Sequence, residues 1–271
     1  MRRFSTVVAV AALLISCQPQ TPPLDILGPV PELRHGFLEG YLHGEPLLNG
    51  HQFLPAPPDP GSAKQLADDA ASEALRPLEG SARWDMAARD ANLQFPDAAS
   101  IFNCALGIEV SETDTPATYR LLQRSLTDLG LPTYPAKNAY QRLRPFMVNG
   151  EALCSPQERA LLENDGSYPS GHSAIGWGWA LMLSQIAPER AEEILNRGRQ
   201  YAQSRMVCNV HWLSDIEAGM AVGAGAFARL QNSALFTATL TAAKAELAAG
   251  RAPTPDSEAC AAETTALLLA D

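Results

Sequence analysis

Three short blocks constrain the chain more than anything else in its 271 residues: Lys137-x6-Arg144-Pro145, Pro169-Ser170-Gly171-His172, and Ser204-Arg205-x5-His211-x3-Asp215. Together they hold three fixed cations, two histidines and one carboxylate, with a Ser-Gly turn between. Each residue alone has an ordinary structural explanation. Eleven specified positions at set local spacing do not: at roughly 5–7% usage each, one placement arises by chance on the order of 10⁻¹³. A fold that uses these blocks together must return the chain to one pocket across residues 137–215.

The surrounding pattern is helical. Ser62 reads as the cap of a helix to about Arg76, ended by Pro77 and Gly80, and Ser81 caps the next. Another helix follows Pro96-Asp97 with Ile101, Phe102, Ala105 and Leu106. Thr115-Pro116 opens a helix whose stripe is Tyr119, Leu122, Leu126 and Leu129, with Gly130 after its last turn. Lys137 to Arg144 reads as one helix halted at Pro145, its two cations seven residues apart on one face. Residues 146–168 are expected to cross over as a loop, and Gly166 to His172 to turn into an apolar helix from Ser173 to Ile186. Pro188 starts a helix leading to Ser204-Arg205. Ser214 is expected to cap a helix rich in small residues (Gly219, Ala221, Gly223, Ala224, Gly225, Ala226), suited to close packing, and Asn232 or Ser233 starts the last, ending at Gly250. Strand signals are weak. The expectation is an all-α protein of eight to ten helices over 62–250, with a tail at 251–271 that is loose unless Cys260 pins it.

Ahead of that region, Arg2-Arg3, an apolar run from Val7 to Ile15 and Ser16-Cys17 have the layout of an export signal over 1–17. Leu14-Ile15-Ser16-Cys17 also looks like a bacterial lipoprotein cleavage box, which would place a lipid anchor at Cys17 and an exported, periplasmic or outer-membrane-attached protein. Residues 18–61, rich in proline and glycine, read as a tether and an extended arm. His35, His43 and His51, eight apart, form no helical face and are read as loop histidines. Four cysteines remain; an even number in an exported chain suggests two disulfides. Cys154 and Cys208 each lie near a block, so pairing 154–208 with 104–260 is favoured if the blocks share a pocket.

Formal charge is −10, from 20 basic and 30 acidic residues. So acidic a chain is a poor partner for nucleic acid. It makes Lys137, Arg144 and Arg205 stand out as a local cationic pocket able to draw in a small anion. Arginine holds phosphate bidentately and keeps its charge; Lys137 adds a point charge; Ser170 and the N–H of Gly171, at a helix start, add hydrogen bonds. His211 is then the nucleophile that attacks phosphorus, with Asp215 holding its other ring nitrogen. His172 is the acid for the leaving alcohol and later the base for water, which requires His211 neutral and His172 protonated at the start. No metal or other cofactor enters this reading.

The three blocks together resemble the signature of the type 2 phosphatidic acid phosphatase superfamily. Gly166 to His172, Ala136-Lys137-Asn138-Ala139-Tyr140, Ser204 to Cys208 and His211-Trp212-Leu213-Ser214-Asp215 make the chain most similar to class A bacterial non-specific acid phosphatases, over about residues 50–245. The resemblance implies an all-helical fold like that of the vanadium haloperoxidases, no metal requirement, a phosphohistidine intermediate and broad use of small-molecule phosphate monoesters. The lipobox at Cys17 and the extra Cys104 and Cys260 depart from it. Other readings are a lipid or pyrophosphate phosphatase, a vanadium-dependent haloperoxidase, and a phosphate-binding lipoprotein without turnover. The sequence leaves open the natural substrate and whether the chain forms a homo-oligomer.

Overall fold

The computed structural model describes residues 24–270. The expected export signal over 1–17, with the lipobox cysteine Cys17, lies outside them. A small antiparallel hairpin, β1 (Glu32–Arg34) and β2 (Phe37–Leu38), opens the described chain. Thirteen α-helices follow: α1 (Gly50–Phe53), α2 (Ala63–Leu75), α3 (Ala82–Asp90), α4 (Asn103–Leu106), α5 (Pro116–Gly130), α6 (Tyr134–Tyr140), α7 (Pro145–Asn149), α8 (Arg159–Leu162), α9 (Gly171–Ile186), α10 (Ala191–Val207), α11 (Leu213–Leu230), α12 (Ala234–Ala248) and α13 (Ser257–Leu267). The fold is all-α apart from the hairpin. Eleven of these, α2 to α12, fall within 62–250, one more than the eight to ten expected there, because α4, α7 and α8 are single turns.

The starts follow local chemistry where a hydroxyl can reach an orphan amide. Ser62, Ser81 and Ser233 each accept a hydrogen bond from the amide three residues on. Four readings need correction. Residues 146–168 are not a plain loop: they hold most of α7 and all of α8. Lys137 and Arg144 do not share a helix: α6 ends at Tyr140, Gln141 takes a left-handed conformation (φ 45°), and Arg144 is extended ahead of Pro145, as a residue before proline prefers. Ser214 does not cap α11; Trp212 is the cap and its amide is taken by the Asp215 carboxylate at 2.9 Å. Gly130 is the last residue of α5 rather than the one after it. The tail carries α13 and is pinned to α4 by Cys104–Cys260, the condition under which it was not expected to be loose. The second bridge is Cys154–Cys208, so the pairing is the one favoured from the sequence.

Helix α9 is the axis of the bundle. Ala174, Trp179, Ala180, Met182 and Leu183 are fully buried, with α10 and α11 packed along the helix and α5 across it. The Trp179 indole N–H donates to the Leu122 carbonyl (3.0 Å), so this core tryptophan leaves no buried donor unmet. Helix α11 approaches α9 closely because its contact stripe is glycine: a Cβ at Gly219 would lie 2.4 Å from the Ser170 carbonyl oxygen, and one at Gly223 would lie 2.3 Å from that of Ala174. Backbone cannot yield as a side-chain tip can. Gly219→Ala is therefore expected to cost about 1–3 kcal/mol of stability and to lower turnover by shifting Ser170 to His172; a thermal melt and an assay on one preparation check both effects.

The arm is held down by Asp128 on α5, whose carboxylate accepts from the Tyr41 amide (2.7 Å) and the Leu42 amide (3.2 Å). Burial pushes this carboxyl up to about 6 against the pull of those two amides. The arm's Leu33 to Phe37 segment thereby borders the cavity described next.

Candidate active site

One cavity of about 1430 Å³ is lined by Lys137, Arg144, Gly171, His172, Arg205 and His211. The three sequence blocks thus meet at one place. The chain does this with three devices: the break after α6, the start of α9, and the turn between α10 and α11, where Asn209 takes φ 62° and its side chain is fixed to Asn149 and the Ala152 carbonyl.

His211 emerges from that turn, 3% exposed. Its Nδ1 faces Ser167 Oγ at 3.3 Å and Asp215 Oδ2 at 3.4 Å, while the Ser167 hydroxyl donates to the same Asp215 oxygen. Two acceptors on one side fix the tautomer with the proton on Nδ1, leaving a lone pair on Nε2. Arg144 Nη1 donates to that lone pair at 3.1 Å. Burial, then the charges of Arg144, Lys137 and Arg205, hold the ring well below the usual histidine range, so it is neutral. Asp215 is itself held: Oδ1 accepts from Arg142 Nη1 at 2.6 Å, and Arg142 Nη2 is bound by Asp68 at 2.6 Å.

His172 lies in the first turn of α9. Its Nε2 sits 3.0 Å from the Ala91 carbonyl at the end of α3. A carbonyl only accepts, so Nε2 carries a proton, and Nδ1 is the nitrogen left to exchange one. Burial and then the Arg205 charge lower this ring well below the ordinary histidine value. The unliganded protein therefore holds His172 neutral, which corrects the expectation that it starts protonated.

The cations differ in how far they are committed. Lys137 Nζ binds Asp165 Oδ2 at 2.9 Å and the Gly166 carbonyl. Burial and the neighbouring Arg144 charge lower it to about 8, so it stays charged through the acid and neutral range. Arg144 has spent every N–H on protein: Nε on the Leu162 and Asp165 carbonyls, Nη1 on Val210 and His211, Nη2 on the Asp165 carboxylate and, at 3.4 Å, the Gly166 carbonyl. Arg205, fully buried, is the opposite case: Nε, Nη1 and Nη2 have no hydrogen-bond partner among the described residues. An unsatisfied buried guanidinium is costly, and such a cost persists where a ligand meets it. Ser170 departs from the sequence reading. It is fully buried and its Oγ caps α9, accepting from the Ser173 amide (3.2 Å) and hydroxyl (2.9 Å), while Gly171 lines the cavity.

Sequence reasoning missed Arg142, Asp68, Ser167 and Asp165. Arg142 stands between Lys137 and Arg144, and Ser167 and Asp165 flank Gly166, so proximity to the blocks was the available signal. His35 lines the cavity mouth, His43 pairs with Glu39 (2.9 Å) and His51 packs on Tyr140.

Comparison with known proteins places this geometry. The PAP2 superfamily profile matches residues 122–236, a span that contains all three blocks. A non-specific acid phosphatase of Providencia stuartii is 41% identical over 209 residues, covering 77% of this chain and 84% of the relative. An acid phosphatase of Zymomonas mobilis is 37% identical over 232 residues (83% and 85%), and a non-specific acid phosphatase of Salmonella typhimurium 40% over 204 residues (75% and 82%). With that identity extending well beyond the three blocks, the chain belongs to the PAP2 superfamily and, within it, groups with the bacterial non-specific acid phosphatases.

Proposed function

We propose that this chain is an acid phosphatase whose cavity hydrolyses phosphate monoesters through a phosphohistidine at His211. The observation that carries the assignment of the site is Arg205: a buried guanidinium with five unmatched N–H groups opens onto the same cavity as both histidines. A phosphoryl group spreads its charge over three equatorial oxygens, and a planar fork of donors fits two of them. Helix α9 adds its N-terminal dipole and the Gly171 amide.

In the first step the His211 Nε2 lone pair forms a bond to phosphorus as the bond to the ester oxygen breaks. Arg144 Nη1 withdraws from Nε2 to a phosphoryl oxygen, and His172 Nδ1 passes a proton to the departing oxygen. The Asp215 carboxylate, fixed by Arg142, stabilises the charge that develops on the His211 ring. In the second step His172 takes a proton from water, the water oxygen bonds to phosphorus, and His211 leaves. The proton used in the first step arrives with the substrate: the phosphate monoanion passes its P–OH proton to the neutral His172 Nδ1, which then hands it to the departing oxygen.

The test is release of phosphate from p-nitrophenyl phosphate at acid pH. Turnover is expected to continue in excess EDTA and to be blocked by vanadate. Loss of turnover on chelation, restored by a divalent ion, overturns the histidine mechanism.

A further inference from the structure

Asp165 faces the cavity with one carboxylate oxygen, Oδ2, shared between Lys137 Nζ at 2.9 Å and Arg144 Nη2 at 2.8 Å. A single anionic oxygen bridging two cations is the arrangement a nonbridging phosphoryl oxygen would take there. On the reading of Lys137, Arg144 and Arg205 as the phosphate cradle, we propose that Asp165 is an internal anion that occupies two of the three cations and is displaced by the substrate phosphate.

Three observations support exchange rather than a fixed brace. Arg144 has no spare N–H, so it gains a phosphoryl oxygen only by releasing a present partner, and Asp165 Oδ2 is one of only two it can give up at its Nη atoms without breaking a backbone contact; the other is His211 Nε2. Arg144 does not need the Asp165 side chain for its position, because four backbone carbonyls, of Leu162, Asp165, Val210 and Gly166, already hold it. Finally, the Asp165 side chain is 25% exposed against 4% for Lys137 and 1% for Arg144, and it lies on the irregular segment between α8 and α9. The carboxylate can turn to water while the cations stay. If it stayed, a bound dianion would share both cations with a like charge a few ångströms away.

The order of events follows from this difference. Phosphate meets the uncommitted Arg205 first and then takes the N–H groups of Lys137 and Arg144 from Asp165 Oδ2. No covalent bond changes in this exchange. Asp165 thus sets substrate affinity by competition, and inorganic phosphate must win the same contest.

The experiment measures KM for p-nitrophenyl phosphate and the inhibition constant of inorganic phosphate at one pH, for the full chain, Asp165→Asn, Asp165→Ala and Lys137→Met. Both Asp165 variants are expected to bind phosphate about tenfold more tightly than the parent, and Lys137→Met at least tenfold more weakly. Unchanged or weaker phosphate binding in Asp165→Asn, with Lys137→Met still weakened, overturns the proposal and makes Asp165 a brace for the two cations. Unaltered binding in Lys137→Met would instead remove the cradle on which the proposal rests. Thermal melts of all four proteins separate a folding loss from either outcome.

Discussion

His211→Ala is expected to lose about 10⁴- to 10⁶-fold in kcat on every phosphate monoester, the scale seen when a covalent nucleophile is removed. The size follows from the position of the ring. Nε2 carries a lone pair aimed by protein on both sides: Asp215 and Ser167 hold Nδ1, and Arg144 touches Nε2. The other cavity histidine, His172, also keeps a free ring nitrogen, but its Nε2 is held by the Ala91 carbonyl and not by a carboxylate that could support positive charge on the ring. Asp215→Asn is expected to lose less, about 10²- to 10⁴-fold, because the ring keeps its place and loses its tautomer preference and charge support. Rapid quench in alkaline denaturant after mixing with phosphorus-labelled substrate, leaving label on the protein that survives base and is released by acid, measures the intermediate directly. Label that forms in His211→Ala at the parental level would move the nucleophile elsewhere.

What could be read from the sequence, and what could not, separates along the range of the interactions. Caps such as Ser62, Ser81 and Ser233 were legible because the hydroxyl and the amide it satisfies lie three residues apart. The glycine stripe of α11 was legible because only close backbone contact explains so many small residues in a row. The break after α6 was not, since Tyr134 to Arg144 carries no glycine and its end depends on Gln141 accepting a left-handed turn in the packed fold. The same division runs through the site. Which side chains meet was written in the three blocks, because their chemistry is unusual in combination. How their hydrogen bonds are allotted was not: Ser170 turns inward to cap a helix, Arg144 is saturated by carbonyls from 18 to 66 positions away, and Arg142 reaches Asp68 across 74. A local window contains none of the partners of Arg144 and Arg142, and for Ser170, whose cap partner Ser173 is three residues on, it does not show that the hydroxyl faces the helix and not the cavity. The −10 net charge misled in a useful way, since it made the cations conspicuous while hiding that Asp165 already covers two of them.

His172→Ala carries the second large effect, and its dependence on the leaving group is the part that identifies the role. For an alkyl phosphate the departing alkoxide needs a full proton, and loss of the acid is expected to lower kcat about 10²- to 10⁴-fold. For p-nitrophenyl phosphate the departing phenolate needs little help, so the first step is expected to survive while hydrolysis of the phosphohistidine, which uses His172 as base, becomes slow. The signature is a burst of one p-nitrophenol per enzyme followed by a slow steady rate. An equal loss on both substrates with no burst would make His172 a structural residue that ties the start of α9 to the Ala91 carbonyl at the end of α3. The pH dependence has a definite sign. Burial and Arg205 lower the ring well below the ordinary histidine value, so above that range the free enzyme offers no proton. Catalysis then relies on the phosphate monoanion, whose further ionisation lies near pH ~6. The value of kcat/KM is therefore expected to fall as pH rises through that region for the parent enzyme. For His172→Ala on the aryl ester the fall should be shallower, because the first step no longer depends on that proton. An acid-favouring activity is expected because a neutral histidine would borrow its proton from the substrate, and the cationic wall that lowers its basicity is the wall proposed to bind the phosphate.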